Sequence, residues 1–130
     1  MTVTREHVTA VLNTYIESYR AKDKATWLTL FADNIYFADP VGKPAMEGLD
    51  AMSAFWEQAH NSGMTLMPEL ERIVVCGTEA ILQFTMEVRD ANGGGFDLKV
   101  VDNFEFDPAG KVVRLRAFWD RGSMLPVASA

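Results

Sequence analysis

The chain has 130 residues, enough to enclose one well-filled core and too few for two. Hydrophobic residues make up 48% and charged residues 23%, which fits a folded globular chain and excludes a disordered one. Twelve basic against eighteen acidic residues give a formal charge of -6, which disfavours nucleic acid and anionic membranes and suits a neutral small molecule.

Thr4 caps a first helix with Glu6 in its first turn, and Val8, Val11, Leu12, Tyr15 and Tyr19 form a single apolar stripe behind it. Asp23 caps a short second helix carrying Trp27, Leu28, Leu30 and Phe31. Ile35 to Asp39 reads as a strand ended by Pro40 and Gly42. A third helix starts near Gly48-Leu49-Asp50 and presents Met52, Phe55, Trp56 and Ala59. From Thr65 the pattern changes. Leu66 to Cys76, Glu79 to Asp90, Phe96 to Asp107 and Lys111 to Asp120 are four extended candidates. Gly77, Asn92-Gly93-Gly94-Gly95 and Pro108-Ala109-Gly110 separate them with the turn chemistry of antiparallel neighbours. Helices first and strands last predict one α+β domain over residues 1–130, a curved, mostly antiparallel sheet wrapped around three N-terminal helices.

The single cysteine, Cys76, excludes an internal disulfide, and its place after Ile73-Val74-Val75 predicts a buried, inert thiol. No run approaches a membrane span and the N-terminus lacks a signal peptide's apolar core, so the expected location is the cytoplasm. His7 and His60 have no ligand partners at metal spacing, and no phosphate-binding helix follows the glycine run. Neither a metal nor a cofactor is expected.

The informative stretch is Phe96 to Phe106. Alternation puts Phe96, Leu98, Val100, Asp102, Phe104 and Phe106 on one face of the strand. An ionised carboxylate among five apolar neighbours costs several kcal/mol unless a cation meets it. A salt bridge to Arg114 or Arg116, or a slipped register, is one explanation. However, those arginines share a phase with Asp120, opposite Val113, Leu115, Ala117 and Trp119, which turns them towards solvent. The other explanation is a carboxyl kept neutral by desolvation, which is a hydrogen-bond donor inside an apolar pocket. Asp39 repeats the anomaly at the end of the Ile35, Phe37 face; a turn aspartate bonding its own loop is the alternative there. Tyr15, on the buried stripe, is either core or a second neutral donor. Two such donors on one carbonyl oxygen make an oxyanion hole, and a movable carboxylate beside them makes a general base. Phe55, Trp56, Phe84, Val100 and Trp119 are the candidate walls of a pocket for a flat, apolar ligand.

These residues carry a resemblance. From about Val8 to Trp119 the chain resembles the bacterial ketosteroid isomerases, of the nuclear-transport-factor-like, cone-shaped α+β superfamily that includes the SnoaL-like proteins. The segments are "LNTYIESYRAKD", "LFADNIYFADPVG", "AFWEQA" and "VVDNFEFDPAGKVVRLRAFW". The family's oxyanion tyrosine falls on Tyr15, its general-base aspartate on Asp39 and its protonated aspartate on Asp102. The resemblance implies a cofactor-free steroid Δ-isomerase that moves a C=C bond from β,γ to α,β of a 3-keto steroid or similar bulky enone through a dienolate. It departs at Phe31 and Trp56, which stand where some members have tyrosines supporting the oxyanion tyrosine. A polyketide cyclase or dehydratase of the same superfamily, or a non-catalytic apolar-ligand-binding dimer module, are the alternatives. Val101, Val112 and Phe118 among charges on the outer sheet face suggest a homodimer, as is common among relatives.

Overall fold

The computed structural model describes residues 3–129. Thr4 starts helix α1 (Arg5–Arg20), its hydroxyl accepting the His7 amide at 3.1 Å. Asp23 does the same for the short helix α2 (Lys24–Leu28), accepting from the amide and hydroxyl of Thr26 at 3.2 and 2.6 Å. Strand β1 (Phe31–Ala38), the two-residue β2 (Met46–Glu47) and helix α3 (Leu49–His60) follow. Then come β3 (Thr65–Cys76), β4 (Glu79–Arg89), β5 (Gly95–Phe106), β6 (Val112–Phe118), a single 3-10 turn at Arg121–Ser123 and β7 (Met124–Val127).

All seven strands join one curved, unclosed sheet in the order β2-β1-β6-β5-β4-β3, with β7 pairing the start of β5. It is mixed: β1 runs parallel to β6 and every other pair is antiparallel. The three helices fill its concave side, so the fold is α+β, as the order of elements predicts, and cone-shaped, as the family resemblance implies. Val8, Leu12, Trp27, Ile35, Met52, Leu82, Phe104 and Leu115 are fully buried where helices and sheet meet. Among the described residues no helix is long and apolar enough to cross a membrane.

Four details depart from the sequence reading, each for a physical reason. Phe31 belongs to β1 and not to the second helix, because the Leu30 carbonyl is already paired with the Val112 amide at 2.9 Å. Cys76 is exposed: the register slips between Leu70 and Arg72, which turns Ile73 and Val75 inward and Cys76 outward. Val112 is fully buried and does not belong to the outer face, because the register shift at Glu105/Phe106 pairs it with inward-facing Phe106. Val101 and Phe118 do lie on the outer face, Phe118 being 42% exposed. Finally, β2 and β7 are too short to carry an alternation that a sequence reading could detect.

Leu115, on β6 between its neighbours β1 and β5, is fully buried in this core. Leu115→Ala should lower the unfolding free energy by about 2–5 kcal/mol, measured by urea denaturation. A loss below about 1 kcal/mol would show that the helices do not pack on this strand as described.

Candidate active site

Asp102 lies in the middle of β5, opposite Leu82 on β4 and Ala117 on β6. It is 2% exposed, and its Oδ1 has no hydrogen-bond partner among the described residues. No cation meets it. Arg116 donates to Asn103 Oδ1 at 2.9 Å, and Arg114 lies 3.2 Å from Glu105 and 3.7 Å from Glu79, all on the outer face. The salt-bridge explanation is therefore excluded by the strand's own alternation. Burial, and then the charge of Asp39, raise the Asp102 pKa well above the ordinary aspartate value of 3.8. Both effects favour the protonated carboxyl over the ionised one.

Asp39 follows β1, half-buried, where the chain leaves the sheet at Pro40. The Trp119 indole N–H donates to its Oδ1 at 2.6 Å. Burial raises its pKa too, against the opposing pull of the Trp119 hydrogen bond and the Lys43 charge. The two aspartates thus differ in kind. Asp102 has no stabilising partner for its charge, whereas Asp39 has an indole donor and a nearby ammonium.

Tyr15 projects from α1 into the cavity that both carboxyls line. Its ring stands edge-on to Phe104 at 5.1 Å and to Phe31 at 6.4 Å, which fixes its direction. Burial, Asp102, Tyr19 and Asp39, in that order, raise its phenol pKa, so it remains a donor. No hydrogen bond joins Tyr15 to Asp102; both open on the same cavity of about 410 Å³. Asp39, Phe55, Phe84, Val100 and Trp119 line it as well. Its volume lies within the usual range for small-molecule sites.

Trp56 is not part of this wall. It is 4% exposed and packs behind Tyr19, Trp27 and His60, with centroid separations of 5.0, 5.0 and 3.9 Å. The helical period that puts Phe55 on the cavity carries the next residue into the core. Phe31, the other departure from the family pattern, supports the Tyr15 ring by its edge and offers its hydroxyl nothing. The cavity also has walls that the sequence reading did not assign: Ile16 and Tyr19 from α1, Met64, Leu66 and Pro68 around the start of β3, and Met124 at β7. Tyr19 was legible, standing one turn from Tyr15 on the same stripe. Met124 was not, because only the pairing of β7 on β5 brings it back. At the rim Gly95, with φ +144°, leads into β5 where a Cβ would overlap the Val88 carbonyl. Among the described residues no group of three or more metal-ligating side chains comes together. His7 bonds the Gly110 carbonyl at 2.7 Å, and His60 bonds the Trp56 carbonyl at 3.1 Å; neither lines the cavity.

A model of the SnoaL-like domain matches residues 12–115. A steroid Δ-isomerase of Nocardioides simplex is 25% identical over 118 residues, 91% of this chain and 94% of that protein. Among solved structures, a Δ5-3-ketosteroid isomerase from Mycobacterium sp. superposes with a TM-score of 0.80 at 23% identity, over 93% of this chain and 98% of that one. SalBIII, an epoxide hydrolase/cyclase-like enzyme in pyran ring formation in polyether salinomycin, gives 0.83 at 21% identity, over 92% and 95%.

The buried acid makes a prediction about stability. A carboxyl whose pKa is raised on folding binds its proton more tightly in the native state, so stability falls as pH rises above the ordinary value of 3.8. The fall continues until the pH passes the raised value. Asp102→Leu should remove this decline and be more stable than wild type near neutral pH, in urea melts compared between pH 4 and pH 8. An unchanged slope would mean that Asp102 is not the group that holds the proton.

Proposed function

This chain belongs to the SnoaL-like domain family, and within it we propose a cofactor-free Δ-isomerase of bulky β,γ-unsaturated ketones, steroid enones among them. The observation that carries this reading is one apolar cavity holding two carboxyls of different character and a phenol. A ketone enters with its carbonyl oxygen towards Tyr15 and Asp102. Asp39, ionised, takes a proton from the carbon between the carbonyl and the double bond. The electron pair moves onto the carbonyl oxygen and leaves a dienolate. Tyr15 and neutral Asp102 each donate a hydrogen bond to that oxygen, and both bonds strengthen as its charge develops. Asp39 then returns the same proton to the far end of the former double bond, which gives the conjugated ketone and restores every group. The apolar walls keep bulk water from the dienolate and strengthen the two hydrogen bonds.

The steroid Δ-isomerase relative and the ketosteroid isomerase neighbour support this reading. A cyclase-type activity on a polyketide-like ketone is the second reading, and the similarity to the SalBIII fold is the observation that favours it. Both need the same acid and base. The isomerase reading differs in requiring no nucleophile beyond the enolate's own carbon. A dehydratase relying on a pocket histidine fits poorly, since neither histidine lines the cavity.

The reaction is followed by the ultraviolet absorbance of the conjugated enone formed from androst-5-ene-3,17-dione. Asp39→Asn should reduce kcat by about 10²- to 10⁴-fold, and Tyr15→Phe by about 10²- to 10³-fold. A wild-type protein without turnover, or an Asp39→Asn variant at full rate, would remove this function. The pH profile supplies a second check. Asp39 works only when ionised, so kcat/KM should rise with pH through its pKa, above the ordinary 3.8. Trp119→Phe removes a donor to the ionised form and should move that rise to higher pH. An unmoved profile would mean that Asp39 is not the base.

A further inference from the structure

One polar group of the cavity has no task in this reaction. Tyr19 is 6% exposed, lines the cavity, and makes no hydrogen bond through its hydroxyl among the described residues. The other polar wall groups are accounted for. Trp119 donates to Asp39. The Ser62 hydroxyl donates to the Ala59 carbonyl at 2.9 Å and accepts the Met64 amide at 3.3 Å. Tyr15 and Asp102 hold the reacting oxygen in the proposed reaction. The Tyr19 ring cannot swing away, because Trp56 stands edge-on to it at 5.0 Å, His60 lies at 4.5 Å and Trp27 at 6.1 Å. It runs nearly parallel to the Tyr15 ring, 23° apart at 6.5 Å, one helical turn further along α1.

A ligand made only of hydrocarbon beyond its carbonyl would strip water from this hydroxyl and return nothing, and phenylalanine would then serve better. We propose that Tyr19 is a second oxygen-binding point of the cavity, so that the preferred substrate is a bulky, mostly apolar ketone carrying a further carbonyl, ether or hydroxyl oxygen within about a helical turn's reach of the reacting one. Burial and the nearby Asp39 and Asp102 raise the Tyr19 pKa, which keeps it a donor. The inference rests on the isomerase reading for the placing of the first oxygen.

Naphthols test it, since a phenol is the stable counterpart of an enol and a naphthalene fits a cavity of about 410 Å³. The binding of 2-naphthol and of a panel of isomeric naphthalenediols is titrated against wild type, Tyr19→Phe and Tyr15→Phe. At least one diol should bind wild type about ten- to a hundredfold more tightly than 2-naphthol, the usual range for pairing a buried hydroxyl. Tyr19→Phe should abolish that gain and leave 2-naphthol unchanged or tighter. If no diol exceeds 2-naphthol, or the gain survives in Tyr19→Phe, the subsite is wrong. Tyr15→Phe should weaken 2-naphthol itself; if it does not, the carbonyl site of the isomerase reading fails, whatever Tyr19 does. Wild type binding none of these compounds would overturn both.

Discussion

A buried carboxyl group that meets no cation among the described residues governs this molecule. Asp102 is carried inward by the same strand alternation that carries Val100 and Phe104 inward, and the arginines of the next strand are carried outward with Asn103 and Glu105. An ionised aspartate in that position would cost several kcal/mol. Desolvation instead favours the protonated form, which the proposed reaction uses as a hydrogen-bond donor. The cost of burying an unpaired polar group remains, and the fold retains it in the wall of a cavity instead of filling the position with leucine. Such a concession in stability is the usual mark of a site built for binding or chemistry.

The rest of the site follows from placing a second carboxyl so that it behaves differently. Asp39 stands at a strand end, half-buried, with the Trp119 indole and the Lys43 charge favouring its ionised form. Two acids of one residue type are thereby given different surroundings, which the proposed reaction uses as a donor and a base. Tyr15 and Tyr19 extend the donor side along one helix face, and the aromatic packing of Phe31, Trp27, Trp56 and Phe104 directs the two rings. Tyr15 itself is oriented by ring contacts with Phe31, Trp27 and Phe104.

Much of this was legible in the sequence, because it depends on periodicity. The three helices, the four long strands, the inward face of β5 and the outward arginines all come from spacing alone. Tyr15, Asp39 and Asp102 stood out as polar groups in apolar phase, and the structure opens all three on one cavity. What escaped depends on pairings between distant segments. The bulge at Leu70/Arg72 that exposes Cys76, and the shift at Glu105/Phe106 that buries Val112, leave no mark on a hydrophobic pattern. The strand β7 that brings Met124 to the cavity is four residues long and contains a proline. Trp56 was misplaced because adjacent aromatics on a helix look alike until the core chooses between them.

The proposed oxyanion hole requires a protonated Asp102 near neutral pH, and carbon-13 NMR of aspartate carboxyls reads that state directly, with the signal assigned through Asp102→Asn. The carboxyl of Asp102 is expected to keep the chemical shift of a neutral acid through neutral pH. A signal that titrates near the ordinary 3.8 would mean an ionised Asp102, and the oxyanion-binding role would fall with it.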